Sequence, residues 1–176
     1  MQILITNNHL NSLGGTETYT HTLIGECLRK NYNVDVLTFE TGSLTNKLIS
    51  NTKLVTKPSD EYDLLLITHS SCMKLIKGMN IKGPKIFTSH GIKHILERPQ
   101  IGADYYVSIS KEIQYIQSLF GFESTIIRNG IDCHRFLPKN KLNKKLTNIL
   151  CLCQSDIACK RVVEICAKMK INVVCL

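Results

Sequence analysis

Leu64-Leu65-Leu66-Ile67 is an unbroken apolar run of strand length, set between Tyr62-Asp63 and Thr68-His69. A strand with one wet face alternates apolar and polar residues, whereas a strand covered on both faces has no need to. The run, read over residues 62–68, therefore predicts a central strand of a parallel sheet with helices packed on both sides. Further apolar runs at residues 3–5, 33–39, 53–56, 85–89, 103–108 and 124–128 read as strands. Helix-like segments separate several of them, the alternation expected of an α/β fold.

The first unit is the most informative. Ile3-Leu4-Ile5 ends in polar Thr6-Asn7-Asn8-His9, and the loop 7–17 carries Leu13-Gly14-Gly15-Thr16-Glu17. Tyr19, Leu23, Ile24, Cys27 and Leu28 then follow at helical spacing. A helix N-terminus presents unpaired N–H groups and the positive end of a dipole, and glycine admits an anion close to the backbone. Gly14-Gly15 thus serves either a tight strand-to-helix turn or a phosphate. The chain contains neither G-x-G-x-x-G nor G-x-x-x-x-G-K-[ST], which argues against dinucleotide and P-loop sites.

Ligands of parallel sheets bind beyond the carboxyl ends of the strands. Three polar loops fall at such ends: 7–17, His69-Ser70-Ser71 and His90-Gly91. His69 and His90 each close an apolar strand, where an imidazole either caps the strand or handles hydroxyls and protons. His9 is a further candidate in the first loop. His21, His94 and His134 read as surface residues. Glu17 suits the helix dipole and also a sugar hydroxyl. Ser110 is an N-cap for a helix through 119 or 120, with Glu112 in its first turn and Gly121 as its stop.

The second half changes character. Pro138 opens a lysine-rich linker, 139–147, with Lys139, Lys141, Lys144 and Lys145. A β-α-β unit follows: a strand at 148–153, a helix at 159–169 and a strand at 172–176. The 176 residues carry a formal charge of +8, which attracts phosphates in general. The lysine run has no interleaved aromatic residues, so a solvated linker fits it better than a membrane-surface patch, and nucleic acid fits least. No apolar run reaches the roughly 18–20 residues of a membrane span, and no signal peptide is recognisable. A cytoplasmic location is expected, with the charge pointing to the inner membrane surface. The chain has eight cysteines, including Cys151, Cys153, Cys159, Cys166 and Cys175 near its end. Their spacing is no familiar metal-ligand pattern, and buried thiols in a reducing compartment account for them.

Taken in order, several short motifs resemble one family. Gly14-Gly15-Thr16-Glu17 resembles a G-G-x-E loop. Residues 62–69 resemble a strand that begins Tyr-Asp and ends in His. Thr88-Ser89-His90-Gly91 resembles a T-x-H-G strand end. Ala103-Asp104 through Ser110, then Asn129-Gly130-Ile131-Asp132 and Phe136-Leu137-Pro138, complete the series. Over residues 1–138 the chain resembles the N-terminal half of the GT-B-fold retaining glycosyltransferases, which include glycogen-synthase-like and phosphatidylinositol-mannosyltransferase-like enzymes.

The resemblance implies a Rossmann-like acceptor-binding domain (1–138), a linker (139–147) and the start of a donor-binding domain (148–176). It implies transfer of a sugar from a nucleotide-diphosphate sugar to a glycan or glycolipid acceptor, with no metal or other cofactor. Gly14, Gly15 and Thr16 would meet the donor diphosphate, together with Lys160 from the second half. His90 would act at the transferring sugar. Glu17, His9 and His69 would bind the acceptor, and Asn129, Gly130 and Asp132 would form the interdomain hinge. The second half departs from the family pattern. The arginine expected shortly before Lys160 is replaced by Gln154-Ser155-Asp156, and Glu164 has Asn172 where a second glutamate belongs. The expectation is therefore a fragment, a subunit that needs a partner chain, or a non-catalytic sugar- or nucleotide-binding module.

Overall fold

A computed structural model describes residues 1–11, 14–42, 45, 52–133, 136–137, 145–152 and 156–175. The chain divides into two compact units, Met1–Cys133 and His134–Leu176. Leu13, Ser43, His134, Pro138, Lys139, Lys141, Lys144, Cys153, Gln154 and Ser155 lie outside the described residues, as does the expected domain boundary at 138.

The first unit is a Rossmann-like α/β sheet of seven strands, all parallel. In chain order its elements are β1 (Gln2–Leu10), α1 (Gly15–Arg29), β2 (Asn33–Thr41), β3 (Lys53–Leu54), β4 (Leu64–Ile67) and α2 (Ser70–Gly78). Then come β5 (Lys85–Ser89), a 3-10 turn (Ile95–Glu97), β6 (Tyr105–Ser108), α3 (Lys111–Leu119) and β7 (Thr125–Ile126). The strand order is β3-β2-β1-β4-β5-β6-β7. The order reverses between β1 and β4, and at such a switch point the loops leaving the two strands diverge and open a crevice.

β4 is the double-faced strand that its sequence predicts. Leu65 and Ile67 join Leu4, Phe87, Met73 and Ile76 in a core under α2. Leu64 and Leu66 pack on the opposite side against a core of Ile3, Ile5, Val34, Val36, Ile24 and Cys27 under α1. Successive residues point to opposite faces, so an apolar residue is needed at every position.

β1 is longer than its apolar run suggests and continues to Leu10, paired with β2 as far as Leu10↔Thr41. His9 is therefore a strand residue rather than a loop residue. Its neighbour Asn7 is fully buried because α1 supplies polar partners. Its amide donates to the Thr16 carbonyl at 3.1 Å and to the Thr20 hydroxyl at 2.8 Å. The amide NH₂ is thus satisfied inside the fold, whereas Asn7 Oδ1 is buried without a hydrogen-bond partner among the described residues.

Helices α1, α2 and α3, together with the helix Asp156–Lys168, end in the same way. Asn31, Asn80, Gly121 and Lys170 have positive φ. In each case the next residue's N–H reaches back five residues: Tyr32 to Cys27, Ile81 to Ile76, Phe122 to Gln117 and Ile171 to Cys166. This is the Schellman closure. Gly121 advertises it in the sequence, whereas the two asparagines and Lys170 do not.

The second unit contains β8 (Asn148–Cys151), α4 (Asp156–Lys168) and β9 (Asn172–Cys175). β8 and β9 pair in parallel. α4 begins three residues before the start expected at Cys159, and its first residue, Asp156, is favourably placed for the helix dipole.

Candidate functional site

The stripe of α1 that faces the sheet is polar at its start (Glu17, Thr20) and apolar further on (Ile24, Cys27). Its polar end lies at the carboxyl ends of the strands. Among the described residues, no side chain caps this helix at Gly14. The two glycines differ in kind. A Cβ on Gly14 would sit 2.1 Å from Glu17 Oε2, whereas a Cβ on Gly15 would meet none of the described residues within 4 Å. Gly14 is therefore small for the sake of its own fold, so that the 3 %-exposed Glu17 can turn back over it. Gly15 borders open space at the positive end of the helix. Glu17 Oε1 accepts from the Thr16 hydroxyl at 2.9 Å and lies 3.4 Å from His9 Nδ1.

A second cluster joins β4, β5 and the 3-10 turn. His69 directly follows Thr68, at the end of β4, and is buried. Its Nδ1 accepts the Asn8 backbone N–H at 3.2 Å, so that nitrogen carries no proton and the ring proton is on Nε2. Nε2 faces Glu97 Oε1 at 3.6 Å. The other oxygen, Glu97 Oε2, accepts the His90 backbone N–H at 2.7 Å. Ser89 adds a hydroxyl bond to the Glu97 carbonyl at 2.8 Å. Burial pushes the Glu97 carboxyl up, but His69 and the His90 N–H outweigh it and hold the group below its ordinary range.

His90 stacks edge-on against Tyr19 of α1, with ring centroids 4.4 Å apart. Tyr19 lies one helical turn beyond Gly15, so the stacked imidazole is close to the open helix start. Both ring nitrogens of His90 are shielded from solvent and lack a hydrogen-bond partner among the described residues. Burial pulls the His90 pKa down from 6.5. Glu97 opposes that shift, His69 adds to it, and Glu17 opposes it. A ring kept neutral in this way offers one N–H donor and one acceptor, which suits a hydroxyl better than an anion. Burial also raises the Tyr19 phenol above its usual value, against a hydrogen bond from Thr88.

Of the residues singled out in the sequence, the fold therefore brings together Gly14, Gly15, Thr16, Glu17, His9, His69 and His90. Asn129, Gly130 and Asp132 are exposed at the end of the first unit. Lys160 is exposed on α4, in the second unit. His94 caps the 3-10 turn through Nδ1, which accepts from the Leu96 N–H. Glu97 and Tyr19 were missed as site residues. Tyr19 reads as one apolar position of a helix. Glu97 falls in a stretch without periodicity, and its one signal is a lone acid seven residues after His90. A concavity of about 20 Å³ beside Glu97, bounded by Ser89, Gly91, Ile113 and Gln117, has room for about one water.

No protein-family model and no curated protein matches the chain. No helix among the described residues is long and apolar enough to cross a membrane.

The cysteines depart in part from the expectation of buried thiols. Cys27, Cys72, Cys151 and Cys166 are buried, whereas Cys133 and Cys175 are exposed. Burial pushes the Cys72 thiol up to about 11.

Proposed function

We propose that the first unit is the acceptor-side half of a retaining glycosyltransferase and works with a donor-binding half on a nucleotide-diphosphate sugar and a glycan or glycolipid acceptor. The observation that carries the reading is the shielded, unpartnered imidazole of His90, stacked on Tyr19 close to the uncapped start of α1. In the proposed reaction the anomeric C–O bond to the diphosphate breaks and a C–O bond to the acceptor hydroxyl forms. The hydroxyl proton leaves with the diphosphate. Negative charge grows on the leaving group, where the N–H groups of Gly15 and Thr16 and the helix dipole favour it. His90 exchanges hydrogen bonds with hydroxyls of the transferring sugar, Glu17 and His9 serve the acceptor side, and His69, buried between Asn8 and Glu97, positions that wall. The charge of +8 suits work beside an anionic lipid surface at the cytoplasmic side of a membrane.

The test is titration of the full chain with UDP, GDP and their sugar conjugates, followed by NMR of the His90 ring. Diphosphate binding is expected in the wild type. Gly15→Val should abolish it without loss of fold, because its side chain fills open space. His90→Phe keeps an aromatic ring against Tyr19 and should lose only the advantage of sugar conjugates over bare nucleotides. Equal binding by wild type and Gly15→Val overturns the reading. Turnover by these 176 residues alone is expected to be absent, and measurable transfer would refute the need for a further donor-binding half.

A further inference from the structure

The second unit brings three thiols together. Cys151 is the last residue of β8 and Cys175 the last of β9, and the two are register partners on adjacent parallel strands. Cys159 is the fourth residue of α4. The three sulfur atoms lie within 4.8 Å of one another. Thiolates bound to one Zn²⁺ at about 2.3 Å sit roughly 3.8–4.0 Å apart, so the cluster is within about an ångström of coordination geometry. Among the described residues the group offers sulfur ligands alone, which selects thiophilic ions and disfavours Mg²⁺ and Ca²⁺.

A second observation points the same way. Among the described residues of this unit, the only buried hydrophobic side chains are Cys151 and Cys166. A unit of about forty residues rarely closes a core large enough to hold itself together, and metals are a common remedy. An ion held at Cys151, Cys159 and Cys175 would tie both strands to the first turns of the helix, so its binding energy would become folding energy.

We propose that Cys151, Cys159 and Cys175 form a three-thiolate Zn²⁺ site that staples β8, α4 and β9. Binding displaces three thiol protons to solvent and leaves the ion one further position. The claim is independent of the glycosyltransferase reading, since it concerns the second unit alone.

The experiment is anaerobic titration of the reduced, metal-stripped full chain with Co²⁺ and then Zn²⁺. One Co²⁺ per chain should bind with a sulfur-to-metal charge-transfer band, and Zn²⁺ should displace it. Cys159→Ser should weaken Zn²⁺ binding at least about tenfold, and Cys133→Ser should leave it within about twofold of wild type. Absence of the band in the wild type overturns the proposal. Equal affinity in the triple serine variant, or in urea-unfolded wild type, overturns it too. A two-dalton mass loss that abolishes binding under these reducing conditions would show a disulfide instead.

Discussion

Glu97 and His90 are joined through backbone rather than ring: Glu97 Oε2 accepts the His90 N–H at 2.7 Å, which leaves the imidazole nitrogens uncommitted. The same carboxylate faces His69 Nε2 with its other oxygen. Glu97→Gln can satisfy one of these neighbours but not both. An amide that accepts from His90 turns its NH₂ toward the Nε2 proton of His69. We expect a loss of about 1–3 kcal/mol, read from urea midpoints, and stability equal to wild type would mean that Glu97 is not the link.

Acid should unfold the first unit in two steps. His90 is held below its ordinary 6.5 in the fold, so the unfolded chain takes up that proton first. Stability is therefore full above about pH 6.5 and falls as pH drops toward the folded pKa, by at most about 1.4 kcal/mol per pH unit. Glu97 is held below its ordinary 4.5. Its contribution is present above pH 4.5 and is lost as pH falls through the lower folded value. His90→Phe should remove the upper step alone. An unchanged slope between pH 6.5 and 5 in that variant would show that another group is responsible.

The two glycines should respond oppositely to a methyl group. Gly14→Ala drives a Cβ against Glu17 and should cost about 1–2 kcal/mol as the carboxylate is displaced. Gly15→Ala begins a helix in open space and should be neutral or stabilising by up to about 1 kcal/mol. Thermal melts of the pair decide, and equal destabilisation would contradict the assignment of separate roles.

Gln117 is buried on α3 and spans two strands. Its amide donates to Ser89 Oγ at 2.6 Å and its carbonyl accepts from Ser108 Oγ at 2.9 Å. Ser89 in turn donates to the Glu97 carbonyl. Gln117→Leu should cost about 1–3 kcal/mol and speed hydrogen exchange around the 3-10 turn. Stability loss without faster exchange there would show that the chain of bonds does not reach Glu97.

Lys170 holds φ near +55° at the end of α4, a conformation that costs an L-residue about 1 kcal/mol or more. Lys170→Gly should raise the unfolding midpoint of the second unit accordingly. No gain would mean that glycine's extra freedom in the unfolded chain offsets the relief.

The sheet was legible because burial on both faces leaves a direct trace, as in Leu64-Leu65-Leu66-Ile67. The strand ends that carry His69 and His90 were legible for the same reason. β1 was underestimated because Asn7 and His9 are polar, and the partners that let Asn7 continue the strand come from a helix in a different register. Glu97 was invisible for a related reason. Its neighbours His69 and His90 are close only after β4 and β5 pair, and no local pattern records that. The cysteine cluster depends on a register match between β8 and β9, which spacing along the chain does not state.

The hydrogen bond from Asn8 to His69 joins residues 61 positions apart, and β1 and β4 pair over a comparable distance. Contacts of such separation form slowly, because a long loop must close before they return any energy. During synthesis β1 must wait for β4 to emerge, and only then do His9, His69 and the start of α1 face one another. The candidate site is thus a late product of folding. A variant that delays the β1–β4 pairing should leave nascent chains with helices formed and the site unassembled, and there the edge of β1 that β4 would cover is open to aggregation.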